Sequence, residues 1–176
     1  MQSIAINENW FEGAVSVERG DGWWRPWRLP YKDLDLFEFP DSGLASRARE
    51  TSGVRLRFET NARLIELQFL PAAIGPMKAE YTLDLTIGEK LVQTVSVHKK
   101  ATSAAFQDLP PGWKTVDIWL PHDTCMDLQD LRVEDGAECR LVPDPRPKWV
   151  TYGSSLTHCR RAHSPATGSC RNAPRK

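Results

Sequence analysis

A glycine and two serines, Gly153, Ser154 and Ser155, come directly after a short run with the residue types of a β-strand, residues 148–152. A strand that ends in such a turn can present a hydroxyl group at the edge of a sheet, where α/β enzymes place their nucleophiles. The glycine permits close approach of the backbone, and neighbouring amide N–H groups can stabilise an oxyanion. Ser155 is therefore a candidate nucleophile, with Gly153 and Ser154 as the turn beside it. Because Gly-Ser-Ser is also a common loop sequence, the spacing alone favours an ordinary turn.

A metal site near the C-terminus is a second chemistry that the residue types allow. Zinc is bound by histidine and cysteine, usually in close pairs such as C-x2-C or H-x3-H. Here four residues separate His158 from His163, and ten separate Cys159 from Cys170. Because these spacings match zinc sites poorly, we predict no metal and no cofactor.

Four aromatic residues lie close together near the N-terminus: Trp23, Trp24, Trp27 and Tyr31. Their flat faces could bind a sugar ring or an acyl group. The simpler interpretation, which we prefer, is a hydrophobic plug over one end of the fold, with indole N–H groups that find partners. Arg25 and Arg28 could stack on the rings in either case.

The elements that must position these groups are mostly strands. Apolar residues alternate with polar ones, which is the period of a half-buried strand, in a series of short runs: residues 54–59, 65–69, 81–87, 91–97, 115–120, 128–133 and 139–142. Prolines and glycines separate these runs, and helical periodicity is nearly absent. About eight to eleven short strands of this kind predict an all-β fold, an antiparallel β-sandwich or jelly roll.

Some details of this fold also follow from the pattern. The runs at 54–59 and 65–69 are joined by a few residues and therefore predict a hairpin. Short helices are predicted around residues 45–50 and 71–78. The polar side chains of two runs are interpreted as solvated strand faces: Arg55, Arg57 and Glu59 on one, Asp84 and Thr86 on the other.

Composition and charge exclude several classes of function. The 176 residues carry 23 basic and 23 acidic side chains, so the chain has no net electrostatic attraction to nucleic acid or to an anionic membrane. No apolar run reaches the roughly 18 residues of a membrane span, and the N-terminus has no basic segment followed by an apolar one. We predict no nucleic-acid partner, no membrane association and a cytoplasmic location.

Residues 149–159 resemble the first conserved block of the SGNH/GDSL hydrolases, in which the pattern Gly-Asp-Ser-Leu carries the nucleophile. Gly153, Ser155 and Leu156 match the glycine, serine and leucine of that pattern. Ser154 stands where the pattern has aspartate, a mild departure. The resemblance implies that Ser155 is the nucleophile.

Upstream, residues 22–26 and 113–122 resemble the start and the end of a β-sandwich domain that precedes the catalytic domain in one GDSL subgroup. The resemblance covers roughly residues 10–165. It implies four parts: a β-sandwich at 1–142, a proline-rich linker at 143–147, the first strand and nucleophile loop of an incomplete α/β hydrolase domain at 148–159, and a tail at 160–176. The tail contains no large apolar side chain and is predicted to be disordered.

The resemblance implies a serine esterase or acyl hydrolase that acts on a small acyl ester or an acylated sugar. Ser155 would attack the ester carbonyl, and a histidine oriented by an aspartate two or three residues before it would accept the proton. None of the four histidines, His98, His122, His158 and His163, follows an aspartate in this way. We therefore expect the chain to be truncated after the nucleophile block and inactive by itself. The alternative is a non-catalytic carbohydrate-binding or scaffolding β-sandwich module.

Overall fold

The computed structural model describes residues 1–37, 43–71, 79–148, 150–151, 153, 155–158 and 162–167. Within these ranges the chain forms twelve strands and five short helices. The strands are β1 Gln2–Ile4, β2 Phe11–Glu12, β3 Ser16–Gly20, β4 Trp23–Trp27, β5 Arg55–Thr60, β6 Ile65–Phe69, β7 Glu80–Ile87, β8 Lys90–His98, β9 Ser103–Phe106, β10 Lys114–Trp119, β11 Leu128–Val133 and β12 Cys139–Leu141. The helices are α1 Gly43–Ala48 and α2 Ser155–His158, with 3-10 helices at Glu8–Trp10, Tyr31–Leu36 and Pro165–Thr167.

The strands build two antiparallel sheets that share one core. The first sheet has the order β3-β4-β11-β6-β9, and β1 also pairs with β11. The second sheet has the order β12-β5-β10-β7-β8, and β2 also pairs with β5. This arrangement confirms the predicted all-β sandwich.

The core between the sheets consists of residues that the alternating pattern identifies. Leu56 and Phe58 of β5, and Leu67 and Phe69 of β6, have no exposed surface. The ring of Phe58 also packs against Trp10, with 5.3 Å between the ring centroids. Burying one such side chain contributes about 1.5–3 kcal/mol, so these contacts hold the two sheets together.

The hairpin predicted from residues 54–69 is wrong. β5 belongs to the second sheet and β6 to the first, so the residues between them cross from one sheet to the other. At this crossing the Thr60 hydroxyl accepts a hydrogen bond from the Ala62 N–H (3.0 Å) and donates one to the Glu138 carbonyl (2.7 Å). Hairpin and crossing both place the apolar faces of the two runs in the core, so the alternation does not distinguish them.

Other local predictions agree with the structure. β7 and β8 form a hairpin in which Ile87 lies opposite Lys90. Gly88 in its turn has a φ of +57°, a left-handed conformation that glycine adopts without strain. The helix predicted around 45–50 corresponds to α1, whereas residues 72–78 of the second predicted helix lie outside the described residues.

The strand predicted at residues 148–152 does not form in the part of this segment that the structure describes. Lys148, Val150 and Thr151 are not part of a β-strand, and Val150 is 83% exposed. Trp149 and Tyr152 lie outside the described residues. A strand at this point would belong to a parallel sheet, which requires neighbouring strands on which to hydrogen-bond.

Among the described residues, no helix combines the length and the apolar character needed to cross a lipid bilayer.

Candidate functional site

The candidate nucleophile Ser155 is the first residue of the short helix α2. Gly153 precedes this helix, and a side-chain carbon placed on it would overlap the hydroxyl of Thr157, so the close approach of these two residues requires glycine. Ser154 and the side chain of Ser155 lie outside the described part of the structure. The roles of all three residues therefore stay predictions.

The histidine that ends α2 attaches this helix to the sandwich. The Nε2 atom of His158 lies 3.0 Å from the Glu50 carboxylate and 2.7 Å from the backbone carbonyl oxygen of His122. The Ser52 hydroxyl donates a hydrogen bond to the His158 carbonyl (3.0 Å). Because a carbonyl oxygen only accepts hydrogen bonds, Nε2 carries a proton in this arrangement. His158 cannot then accept a proton from Ser155 at that atom.

The contacts of His158 come from two loops of the sandwich, residues 49–54 and 120–127. Glu50 and His122 are 7% and 6% exposed, so both are buried polar residues. Thr51 joins the loops, because its N–H donates to the Thr124 carbonyl (3.0 Å) and its hydroxyl to the Pro121 carbonyl (2.6 Å). We define this region as the docking cluster: Glu50, Thr51, Ser52, His122 and Thr124. Sequence reasoning missed it, since no local pattern joins two loops 70 residues apart.

A second attachment lies in the segment predicted to be a disordered tail, residues 160–176. Within residues 162–167, Ser164, Pro165 and Ala166 are buried. The Ala166 N–H donates to one Asp84 carboxylate oxygen (2.7 Å), and the Thr94 hydroxyl donates to the other (2.6 Å). A segment of small residues can pack against the sandwich without large apolar side chains when a buried carboxylate accepts hydrogen bonds from its backbone N–H groups. Residues 160–161 and 168–176 lie outside the described residues.

The linker at residues 143–147 is attached as well. The Asp144 carboxylate accepts hydrogen bonds from the Arg55 guanidinium (2.6 Å) and from Nε of Arg146 (2.7 Å). On the same face of β5, Arg55 and Arg57 both bind Asp117 at 2.9 Å. The interpretation of this face as solvated is therefore wrong. Asp117 is 2% exposed, because the segment after the sandwich covers this side of the second sheet.

The Asp84 face was also interpreted as solvated, and this too is wrong, because Asp84 and Thr86 are 0% and 1% exposed. The Thr86 hydroxyl accepts a hydrogen bond from Nε1 of the neighbouring Trp119 (3.3 Å). Among the residues interpreted as solvated, Glu59 is the most exposed. Its side chain is 26% exposed, and it pairs with the exposed Arg140.

The linker carboxylate makes the stability of the protein depend on acid pH. Hydrogen bonds from Arg146, assisted by other arginines nearby, hold the pKa of Asp144 well below its usual range. Its folded pKa is thus below the unfolded value of about 3.9, so its stabilisation is present above that pH and is lost as the pH falls. We expect Asp144→Asn to flatten the loss of stability below about pH 4. Thermal unfolding followed at a series of pH values measures this change.

The control for this titration is Asp135→Asn. The Asp135 side chain is 80% exposed and pairs only with the N-terminal ammonium among the contacts seen. A flat profile for both variants, or for neither, would contradict the assignment of the acid dependence to Asp144.

Of the four aromatic residues near the N-terminus, the three tryptophans lie on β4 of the first sheet and Tyr31 begins the 3-10 helix Tyr31–Leu36. The Arg25 guanidinium lies 4.5 Å above the Trp23 ring, and Trp27 stacks on Tyr31 with 6.5 Å between centroids. Trp27 is 5% exposed, and its indole N–H donates to Glu18 (2.9 Å). These contacts favour the packing interpretation, while sugar binding stays an untested alternative.

Of the two arginines predicted to stack on the aromatic rings, Arg25 and Arg28, each makes a different kind of contact. Arg25 stacks on an indole as expected, whereas Arg28 donates hydrogen bonds to the carbonyls of Glu50 and Arg47. Arg19 lies 5.2 Å above the Trp24 ring and covers that indole instead. Within the described residues, no group of three or more metal-binding side chains converges, and Cys159 and Cys170 of the rejected zinc site fall outside those residues.

Comparison with known proteins gives a family match and several structural matches, two of which are described here. The family model described as "SsfX3, N-terminal domain" matches residues 10–129. The salicylyl-acyltransferase SsfX3 from a tetracycline biosynthetic pathway is 34% identical, with a TM-score of 0.81, over 94% of this chain and 49% of that one. A protein from Bacteroides ovatus ATCC 8483, whose name describes a GDSL-like lipase, is 18% identical, with a TM-score of 0.64, over 85% of this chain and 45% of that one.

The second of these structural matches shows the fold alone. The chain spans about half the length of both structures, 49% and 45%. No curated protein matches the chain. The family match over residues 10–129 supports the predicted N-terminal domain, and the link to GDSL hydrolases stays a prediction.

Proposed function

Because this chain belongs to the SsfX3 N-terminal domain family, we propose that it is the sandwich and the nucleophile block of a GDSL-related acyl-transfer enzyme. The observation that supports this most is the attachment of helix α2, which begins at Ser155, to the sandwich by His158. Contacts with buried polar residues on two separate loops favour a functional segment over an ordinary turn. The similarity to SsfX3 extends over 94% of the chain and so reaches past the sandwich.

The proposed reaction begins when Oγ of Ser155 attacks the carbonyl carbon of an ester. A base accepts the hydroxyl proton of Ser155 as the new C–O bond forms and gives it to the alcohol when the ester C–O bond breaks, so the alcohol leaves and the acyl group stays on the serine. Water or a second alcohol then takes up the acyl group and regenerates the serine. An esterase and an acyltransferase differ only in this acceptor. Gly153 and Ser154 supply the backbone that surrounds the oxyanion.

The base and its orienting carboxylate come from residues that this chain does not contain. His158 binds the sandwich through a protonated Nε2, and no histidine here follows an aspartate at the spacing that the GDSL resemblance requires. The isolated chain is therefore inactive. We propose a small acyl ester or an acylated sugar as substrate, with no nucleic-acid or membrane partner and no cofactor.

A chimera tests this proposal. Residues 1–158 of this chain replace the corresponding part of SsfX3, which has a similar backbone with a TM-score of 0.81. The chimera is expected to hydrolyse p-nitrophenyl acetate, whereas the isolated 176-residue chain hydrolyses it no faster than its own Ser155→Ala variant. A folded chimera without activity overturns the proposed reaction. Activity of the isolated chain that depends on Ser155 overturns the proposed division of the site.

A further inference from the structure

We propose that Glu50, a residue of the sandwich, positions the nucleophile Ser155 by holding His158. This inference rests on the proposed function, because it assigns Glu50 a part in the same reaction. Glu50 does not touch the reacting atoms. It acts through the ring of His158, which is one helical turn from Ser155 in α2.

Helix α2 depends on such contacts because it is only four residues long. An isolated helix of this length is unstable, since nucleation costs more than one turn of hydrogen bonds returns. Helix α2 is held in part by the imidazole and the carbonyl of His158, which bind Glu50, the His122 carbonyl and Ser52. The orientation of the first residue of α2 is thus determined by what binds its last residue.

Glu50 is itself held in place, so it can orient another residue. Its Oε1 atom accepts a hydrogen bond from Arg47 (2.6 Å), and its backbone carbonyl accepts one from Nε of Arg28 (2.7 Å). Its Oε2 atom faces His158. With 7% of the residue exposed, little water competes for that oxygen. A rigid carboxylate of this kind restricts the rotation of the His158 ring.

Acyl transfer is sensitive to this restriction. A displacement of about 1 Å at the reacting atoms can lower a rate about 100-fold, even when its cause lies away from the chemistry. The inference therefore gives the sandwich a role in catalysis. It would orient the nucleophile in addition to any part that it has in substrate binding.

The contact is tested on the full chain by two measurements that do not require activity. Nuclear magnetic resonance of the imidazole groups reports the exchange of the His158 Nε2–H, which is expected to be slow in the natural chain. In Glu50→Ala this exchange should accelerate at least about tenfold, and amide hydrogen exchange in residues 155–158 should rise with it, since each factor of ten reflects about 1.4 kcal/mol of lost protection. Glu50→Gln keeps an acceptor oxygen and should restore much of the protection.

The matched control is Glu59→Ala, which removes a glutamate whose partner Arg140 has a 63% exposed side chain. It should leave exchange in residues 155–158 unchanged. Equal exchange in Glu50→Ala and in the natural chain overturns the contact. A uniform rise across the β-strands also overturns it, because that result means general destabilisation.

The positioning role itself is read from the chimera described above. Glu50→Ala is expected to lower kcat about 10- to 100-fold with KM unchanged, and Glu50→Gln should recover most of the rate. An unchanged kcat overturns the positioning role. An inactive chimera contradicts the proposed function instead. The exchange measurements still test the contact between Glu50 and His158, because they do not require activity.

Discussion

In the chimera, Ser155→Ala is expected to lower kcat for p-nitrophenyl acetate by about 10⁴- to 10⁶-fold. The alanine side chain has no oxygen that can form a bond to the acyl group, so the covalent route is lost entirely. Any remaining rate would come from the groups that surround the oxyanion. Steady-state hydrolysis measures the loss, and the intact mass of the protein shows whether an acyl group accumulates on it.

Ser154→Ala is the informative comparison for this experiment because the two serines are adjacent. It tests which hydroxyl forms the acyl bond, since the backbone of residue 154 is retained. If Ser154→Ala removes the acyl adduct and Ser155→Ala keeps it, the assignment of the nucleophile is wrong.

The second large effect is expected on stability, from Asp117→Ala. This change should lower the free energy of unfolding by about 3–5 kcal/mol, because it removes a buried carboxylate and leaves two partly buried guanidinium groups without their shared partner. The Asp117 side chain is 3% exposed, and those of Arg55 and Arg57 are 13% exposed. Arg55 also lies 4.7 Å above the Trp119 ring, so its displacement should change tryptophan fluorescence directly. Urea denaturation followed by that fluorescence measures the effect.

Glu59→Ala serves as the control for Asp117→Ala, because Glu59 lies on β5 and pairs with the exposed Arg140. A surface ion pair of this kind contributes about 0–1 kcal/mol. Equal losses for the two variants would contradict the claim that burial makes the Asp117 network important.

This network has a consequence for the segment that follows the sandwich. Arg55 binds both Asp117 and the linker residue Asp144, so the strand and the linker share one ion-pair network. Further along the chain, His158 binds Glu50, and Ala166 binds Asp84. The segment from the linker to Ala166 thus contacts the sandwich through these residues and also through the Lys148–Glu12 ion pair (3.7 Å). Ser155 lies between Lys148 and His158 in the chain.

The strands were predictable because alternation is a local property. The runs at 81–87, 115–120 and 128–133 correspond to β7, β10 and β11, and their inward residues are buried as expected. A run of apolar and polar residues indicates which face is buried whatever its partner is. The partner itself is not local, so the pairing of β5 with β10 and the wrong hairpin were beyond this kind of reasoning.

The candidate site also has a part that the sequence predicts and a part that it does not. The GDSL-like pattern around Ser155 was visible because adjacent residues carry it. The docking cluster was not visible, because Glu50 and His122 acquire a common role only when two distant loops meet. Burial of Asp84 and Asp117 was missed because charged residues on a strand are usually solvated, and here a later segment covers them.

The sequence by itself determined the all-β character of the chain, the inward faces of its main strands and the position of a nucleophile-like motif. Each of these depends on residues that are neighbours along the chain. Only the tertiary structure decided which strands pair, which charged residues are buried and how the motif is attached to the sandwich. Those outcomes depend on contacts between residues far apart in sequence, whose free energy is gained only when the whole sandwich has formed and excludes water from them.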